Sequence, residues 1–257
     1  MALHLDHVVV LVDDLEQAVR DYGELGFNVS PGGRHDNGVT HNAIIPFEDN
    51  SYIELLAFTR GLGAMGQLRP GEATFLHRVK VRGAAGEGLV DYALRSDVLM
   101  QDVRLARGRG IPFEPVATGS RRRPDGLDMR WQFVMPSTLM LPFLITDITE
   151  HRVRVPEGEA RRHPNGVTGL LRLVFAVRDL EDAVAAHTAL LGRAPLTDAD
   201  VPHMVDFLVG GTTLRLLGEQ PATDRPLAIT LQTADPSTAG RLDLARAHGA
   251  VIELEAV

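Results

Sequence analysis

The sequence predicts an α+β protein built from tandem βαβββ units. Two observations carry this. A strand–cap–helix signature recurs along the chain, and short strand-like runs follow each of its first three copies. Val12-Asp13-Asp14-Leu15-Glu16-Gln17-Ala18-Val19 matches Val177-Arg178-Asp179-Leu180-Glu181-Asp182-Ala183-Val184 at six of eight positions, 165 residues apart. Weaker copies place helix starts at Asp97 and Asp235.

The first unit opens with an alternating strand. Leu5, His7, Val9 and Leu11 take one face, and Asp6, Val8, Val10 and Val12 the other. Asp14 caps the following helix, with Gln17 three residues on. Leu15, Ala18, Val19, Tyr22 and Leu25 form its apolar stripe, and Gly26 ends it. Strands are expected at Phe27–Ser30, His41–Pro46 and Tyr52–Phe58.

The second unit reads Leu89–Arg95, a helix from Asp97 with Leu99, Val103 and Ala106 on one side, then strands Ile111–Val116, Trp131–Met135 and Leu141–Ile148. The third places strands at Ala194–Leu196, His203–Val209 and Thr213–Leu217. The fourth is a truncated βαβ: Leu227–Thr233, a helix from Asp235-Pro236 with a stripe of Ala239, Leu242 and Ala245, and Val251–Leu254. Each sheet must bury one face, so the units should pair. The expected domains are residues 1–150, with two modules, and 165–257, with one module and the truncated one. The charged stretch Glu150–Gly166, with Pro156, Gly158 and Pro164, reads as the linker.

Composition narrows the chemistry. The 257 residues carry a formal net charge of −8, which argues against a nucleic-acid partner. The longest apolar run near the N-terminus is Val8–Val12, so neither a membrane span nor a secretory leader is expected. There is no cysteine, which removes disulfides, thiolate ligands and a cysteine nucleophile and fits a cytoplasmic protein. Any metal must be held by His, Asp, Glu or amide oxygens; ten histidines keep that open.

Several segments, taken in order, resemble the glyoxalase-like domain family of the vicinal oxygen chelate superfamily, which includes glyoxalase I, extradiol dioxygenases and bleomycin-resistance proteins. They are Asp6-His7-Val8-Val9, Gly32-Gly33-Arg34-His35, Thr40-His41-Asn42, Tyr52-Ile53-Glu54-Leu55, Arg123-Pro124-Asp125-Gly126, Pro142-Phe143-Leu144-Ile145 and His163-Pro164-Asn165-Gly166. The resemblance spans roughly residues 3–190. It implies curved mixed sheets with helices outside and a U-shaped cavity within. In metal-dependent members, ligands come from the first and fourth strands of two modules. His7 and Glu54 match those positions in module one. Module two offers Val90 and the run Phe143, Leu144, Ile145, none of which can ligate. Module three offers Arg172.

Glu54 and His7 are therefore the candidate catalytic pair, and Glu54 could act as a general base with or without metal. His41 could complete a metal set with His7 and Glu54, suited to Zn, Fe, Mn or Ni. Equally, His7 and Glu54 could form a metal-free polar pair, since a lone buried carboxylate is costly. Arg34 behind two glycines is expected to clamp an anionic group of a small ligand, whereas His35 reads as a hairpin residue. Asn42 and His41 could line the cavity mouth. Arg123, ending the basic run from Arg121, could meet an anion, and Trp131 could form a cavity wall. The glycine-rich connection Gly61–Gly88 is either a lid or a helical connector. His151 and His163 are expected to be solvated or capping residues of the linker.

Two functions follow. One is a lyase- or isomerase-type enzyme acting on a small oxygenated metabolite. The other is a non-catalytic small-molecule or drug-binding protein of bleomycin-resistance type. The incomplete last unit leaves a sheet edge that a homodimer partner could cover.

Overall fold

The structure, a computed structural model, describes residues 3–59, 68, 70–123, 125–197 and 200–257. The chain is α+β, with two curved mixed sheets. In the first sheet, β1 (His4–Leu11) lies at the centre beside β5 (Gly88–Arg95), paired antiparallel with His7 opposite Ala93. Outward from β1 come β4 (Tyr52–Phe58), β3 (Thr40–Pro46) and β2 (Ser30–Arg34). Outward from β5 come β8 (Phe143–Asp147), β7 (Asp128–Val134) and β6 (Ala117–Arg122). The sheet nearly closes on itself. Its edge strands meet at a His35–Arg121 bridge, with Asp36 N–H donating to the Ser120 carbonyl at 3.1 Å.

The outer face carries α1 (Leu15–Glu24) and α3 (Leu99–Gly108). Asp14 caps α1 by accepting from the Gln17 N–H at 3.0 Å, and Gly26 leaves the helix at φ +87°, a conformation glycine adopts without strain. The third helix, α2 (Pro70–Arg82), lies on the inner face, where Phe75 and Val79 pack against β1, β4 and β5. It is anchored by Arg78 and Arg82, both bound to Asp91. The expected Gly61–Gly88 connection is thus helical over Pro70–Arg82; residues 60–67 and 69 lie outside the described residues.

The second sheet orders β10 (Leu196–Thr197), β11 (Met204–Val209), β12 (Thr212–Gly218), β9 (Val167–Val177), β13 (Arg225–Thr233), β15 (Val251–Ala256) and β14 (Gly240–Arg241). After the short α4 (His151–Arg154), α5 (Leu180–Leu191) covers this sheet, capped by Asp179. One apolar core runs through both halves, from Tyr22 and Val103 to Phe175 and Leu190.

Several expectations change, among them the strands expected at Phe27–Ser30 and Ala194–Leu196, which lie at Ser30–Arg34 and Leu196–Thr197. No helix follows Asp235. Its side chain caps a single 3-10 turn at Pro236–Thr238, and Gly240 and Arg241 then pair with β15. A glycine inside the expected helix weakens it, and the β15 edge offers ladder bonds instead. The strand expected at Ile111–Val116 lies at Ala117–Arg122; of the expected run only Phe113 makes a bridge. The presumed linker is a packed strap. Its Arg154, Arg161 and His163 are buried, and His163 accepts from Asn28 N–H at 3.0 Å.

Candidate functional site

The inner face of the first sheet lines a cavity. Strand parity decides what enters it. His7, Val9 and Leu11 share the inner face of β1; Glu54 and Leu56 share that of β4, and Thr40 and Asn42 that of β3. At its floor, His7 Nε2 faces Glu54 Oε2 at 3.6 Å. His7 stacks on Tyr52 with centroids 4.6 Å apart and meets the edge of Phe143 at 5.5 Å.

His7 is oriented from behind. Its Nδ1 lies 2.7 Å from Asp6 Oδ2. Asp6 is clamped by Arg154, which also bonds the Tyr52 hydroxyl and Asp147. Burial alone would raise the Asp6 carboxyl, but the Arg154 charge and hydrogen bonds, helped by His7, outweigh it and hold the group far below the usual carboxylate range. An ionised Asp6 only accepts, so His7 carries its proton on Nδ1 and turns Nε2 toward Glu54.

Glu54 Oε1 accepts from the Asn42 amide at 2.5 Å and lies 3.8 Å from His35 Nε2. Burial pushes the His35 imidazole below its ordinary value, with Arg121 adding to this and Glu54 opposing it. The Asn42 carbonyl oxygen accepts from Arg121. Trp131 forms part of the wall, crossing Gly119 so closely that a Cβ there would sit 2.5 Å from the indole.

Of the sequence candidates, His7, Glu54, Asn42 and Trp131 converge on this cavity. Three do not. His41 projects from the opposite face of β3, with Arg34, Asp14 and Glu16 as its charged surroundings. Arg34 is exposed on that same outer side and donates to the Gly38 carbonyl at 2.9 Å. Arg123 lies beyond the end of β6 and pairs with Asp125 at 2.7 Å; neighbouring Pro124 lies outside the described residues. The inward position belongs to Arg121, two residues earlier on the strand. Sequence reasoning missed Arg121, His35, Tyr52 and Arg154. Alternation along Ala117–Arg122 was the available signal for Arg121, and alternation along Tyr52–Phe58 sets Tyr52 on the face of Glu54; His35 and Arg154 depend on tertiary contacts.

Members of the superfamily often use divalent metals. The donors here do not assemble such a site. His41 is on the wrong face, Phe143 occupies the side from which module two would contribute, and the Arg121 cation faces the same cavity. Among the described residues, no group of three or more His, Asp or Glu side chains is disposed to hold a metal ion.

Paired βαβββ units around a cavity with both polar and aromatic lining define a protein of the vicinal oxygen chelate fold. The match to the glyoxalase-like domain family covers residues 5–191, and the chain belongs to that family. A hypothetical protein from Staphylococcus aureus superposes with a TM-score of 0.81 at 14% identity, over 99% of this chain and 100% of that one. A fusion of a xylose isomerase-like TIM barrel with 4-hydroxyphenylpyruvate dioxygenase gives 0.56 at 14%, over 95% of this chain and 38% of that one. A mutant of 4-hydroxymandelate synthase from Streptomyces coelicolor gives 0.54 at 12%, over 94% and 77%. These likenesses establish the fold alone. No curated protein sequence matches. Proteins of the superfamily bind small molecules and often form dimers. Among the described residues, no helix is long and apolar enough to cross a membrane.

Proposed function

We propose that residues 1–150 bind a small oxygenated metabolite and catalyse proton transfer at a carbon beside its carbonyl, an isomerase- or lyase-type reaction. The observation that carries this is the His7–Glu54 pair, 3.6 Å apart at the floor of a buried cavity and backed by ionised Asp6. In the isomerase form, the Glu54 carboxylate takes the proton and the bond pair moves onto the carbonyl oxygen as an enolate. Return of that proton to the carbon, from Glu54 directly or after Glu54 hands it to His7 Nε2, completes the step. Asp6 stabilises His7 whenever the imidazole is charged. No metal enters this scheme, because the donor set does not supply its ligands.

Residues 165–257 serve in this reading as a supporting half. A cytoplasmic location, suggested by the cysteine-free composition, and a homodimer covering the short β14 edge are parts of the same proposal; light scattering tests the dimer.

The test of the chemistry is exchange of carbon-bound protons. Small 2-oxo and 2-hydroxy acids and their aldehydes are incubated with the protein in D₂O and followed by proton NMR. Catalysed loss of the α-proton signal is expected, reduced about 100-fold or more in Glu54→Gln. Measurable binding with no exchange for any of these compounds overturns the enzymatic reading and favours the binding protein.

A further inference from the structure

Arg121 is buried, with only 5% of its surface exposed, and among the described residues no carboxylate forms an ion pair with it. Its Nη1 donates to the Asn42 carbonyl oxygen and Nη2 to Met129 Sδ at 3.2 Å, both neutral acceptors. Its Nε is buried without any partner. Among the described residues, no carboxylate comes within 4.0 Å of this guanidinium, and Glu54 attracts it only from farther away. Three other buried arginines differ: Arg154 is satisfied by Asp6 and Asp147, and Arg78 and Arg82 by Asp91. A desolvated cation without an anion is costly unless a partner arrives.

The rest of the cavity is divided. His7, Glu54, Asn42 and Arg121 make one wall polar. Phe75, Trp131, Phe133 and Phe143 make another aromatic, with Phe75 and Phe143 edge-to-face at 5.7 Å. A purely polar metabolite would leave those rings facing nothing apolar.

We propose that the ligand is an amphipathic monocarboxylic acid. Its carboxylate pairs with the Arg121 guanidinium where that side chain lines the cavity, and its aromatic or branched apolar body lies against Phe75, Trp131, Phe133 and Phe143. This rests on the cavity being the ligand site, as in the proposed function, but does not require proton transfer to occur there. The guanidinium selects for charge and the rings select for the body, so either alone gives weak binding.

Trp131 is the chain's one tryptophan and lines the cavity, so its fluorescence reports occupancy. The probes are 3-phenylpropionate, its neutral primary amide, and acetate, titrated into the full chain at neutral pH. Saturable binding of 3-phenylpropionate is expected, at least about 10-fold tighter than its amide or acetate. Arg121→Gln should abolish the preference for acid over amide while leaving amide binding in place, which also shows that the variant is folded. Phe75→Ala should weaken 3-phenylpropionate by about 10-fold and leave acetate unchanged. No saturable binding of 3-phenylpropionate at millimolar concentration, equal affinity for acid and amide, or retention of the preference in Arg121→Gln overturns the assignment. Glu54→Gln separates the two proposals: it should keep the binding preference and lose α-proton exchange, so failure of exchange alone leaves the Arg121 assignment standing.

Discussion

Arg154 closes both Nη atoms on the Asp6 carboxylate, at 2.8 and 2.9 Å, and so ties the short helix after β8 to the strand that carries His7. Removing one partner of such a buried pair strands the other charge. Arg154→Met is expected to cost about 3–5 kcal/mol, read as a lowered urea midpoint at neutral pH. The pH dependence follows from Asp6. Its carboxyl is held below its unfolded value near 3.8, so its stabilisation is complete above that value and drains away as pH falls through and below it. In Arg154→Met only the His7 contact still opposes the burial that raises the carboxyl, so this group's acid-sensitive contribution shrinks. An unchanged acid-unfolding profile would sink this account.

Asp91 serves two guanidiniums at once. Arg78 grips it at 2.7 and 2.8 Å and Arg82 at 2.6 Å, and together they outweigh the burial that would raise its carboxyl, which sits at about 2. Asp91→Asn leaves two buried cations facing each other and is expected to destabilise by about 3–5 kcal/mol. Because these arginines anchor α2, which carries Phe75 over the cavity, a tolerated variant should also bind 3-phenylpropionate more weakly. Full affinity in a folded but destabilised Asp91→Asn would uncouple the anchor from the cavity.

Local signals made the repeated units legible: Tyr52–Phe58 is a strand at those bounds, and Asp14 and Asp179 both cap their helices through the N–H three residues on. Long-range register was not legible. His41 and Asn42 are neighbours in sequence, but only the strand pairing that sets Ile44 opposite Glu54 shows which of them faces the cavity. The same limit hid Arg121, because the displacement of β6 from 111–116 to 117–122 turned an expected basic loop into a strand with alternating faces. Arg154 could not be found locally at all, since its partner Asp6 lies 148 residues away.

His187 supplies a second pH signature. It is fully buried in α5, with Nδ1 donating to the Ala183 carbonyl at 2.8 Å and Nε2 at 3.2 Å from the Tyr92 hydroxyl. Burial pushes its imidazole down to about 4 from 6.5. The unfolded chain therefore binds the proton more readily between those values, and stability falls as pH drops from about 6.5 toward 4, by up to about 3 kcal/mol from this group. Replacing the imidazole in His187→Leu should flatten that part of the profile, at a fixed cost from leaving Tyr92 unpaired. Urea midpoints at pH 7 and pH 5 for both proteins check this; an equal drop in each rules His187 out.

The two halves should unfold as one unit despite their separate sheets. Tyr22 of α1 donates to the Ala247 carbonyl at 3.1 Å, Arg82 to the Asp224 carbonyl at 2.9 Å, and His248 bridges Glu87 and Asp21 at 2.9 and 3.1 Å. Tyr92 packs on Phe175 with centroids 5.4 Å apart, inside the core that both halves share. A chain ending at residue 166 would expose that surface and leave Arg82 short of an acceptor, so it should be poorly soluble or lose its cooperative thermal transition. In the full chain, calorimetry should show a single transition whose calorimetric and van't Hoff enthalpies agree. Two resolved transitions, or a stable fragment 1–166 with an intact cavity, would show instead that the first sheet stands alone and that the strap from Glu150 to Gly166 is only a tether.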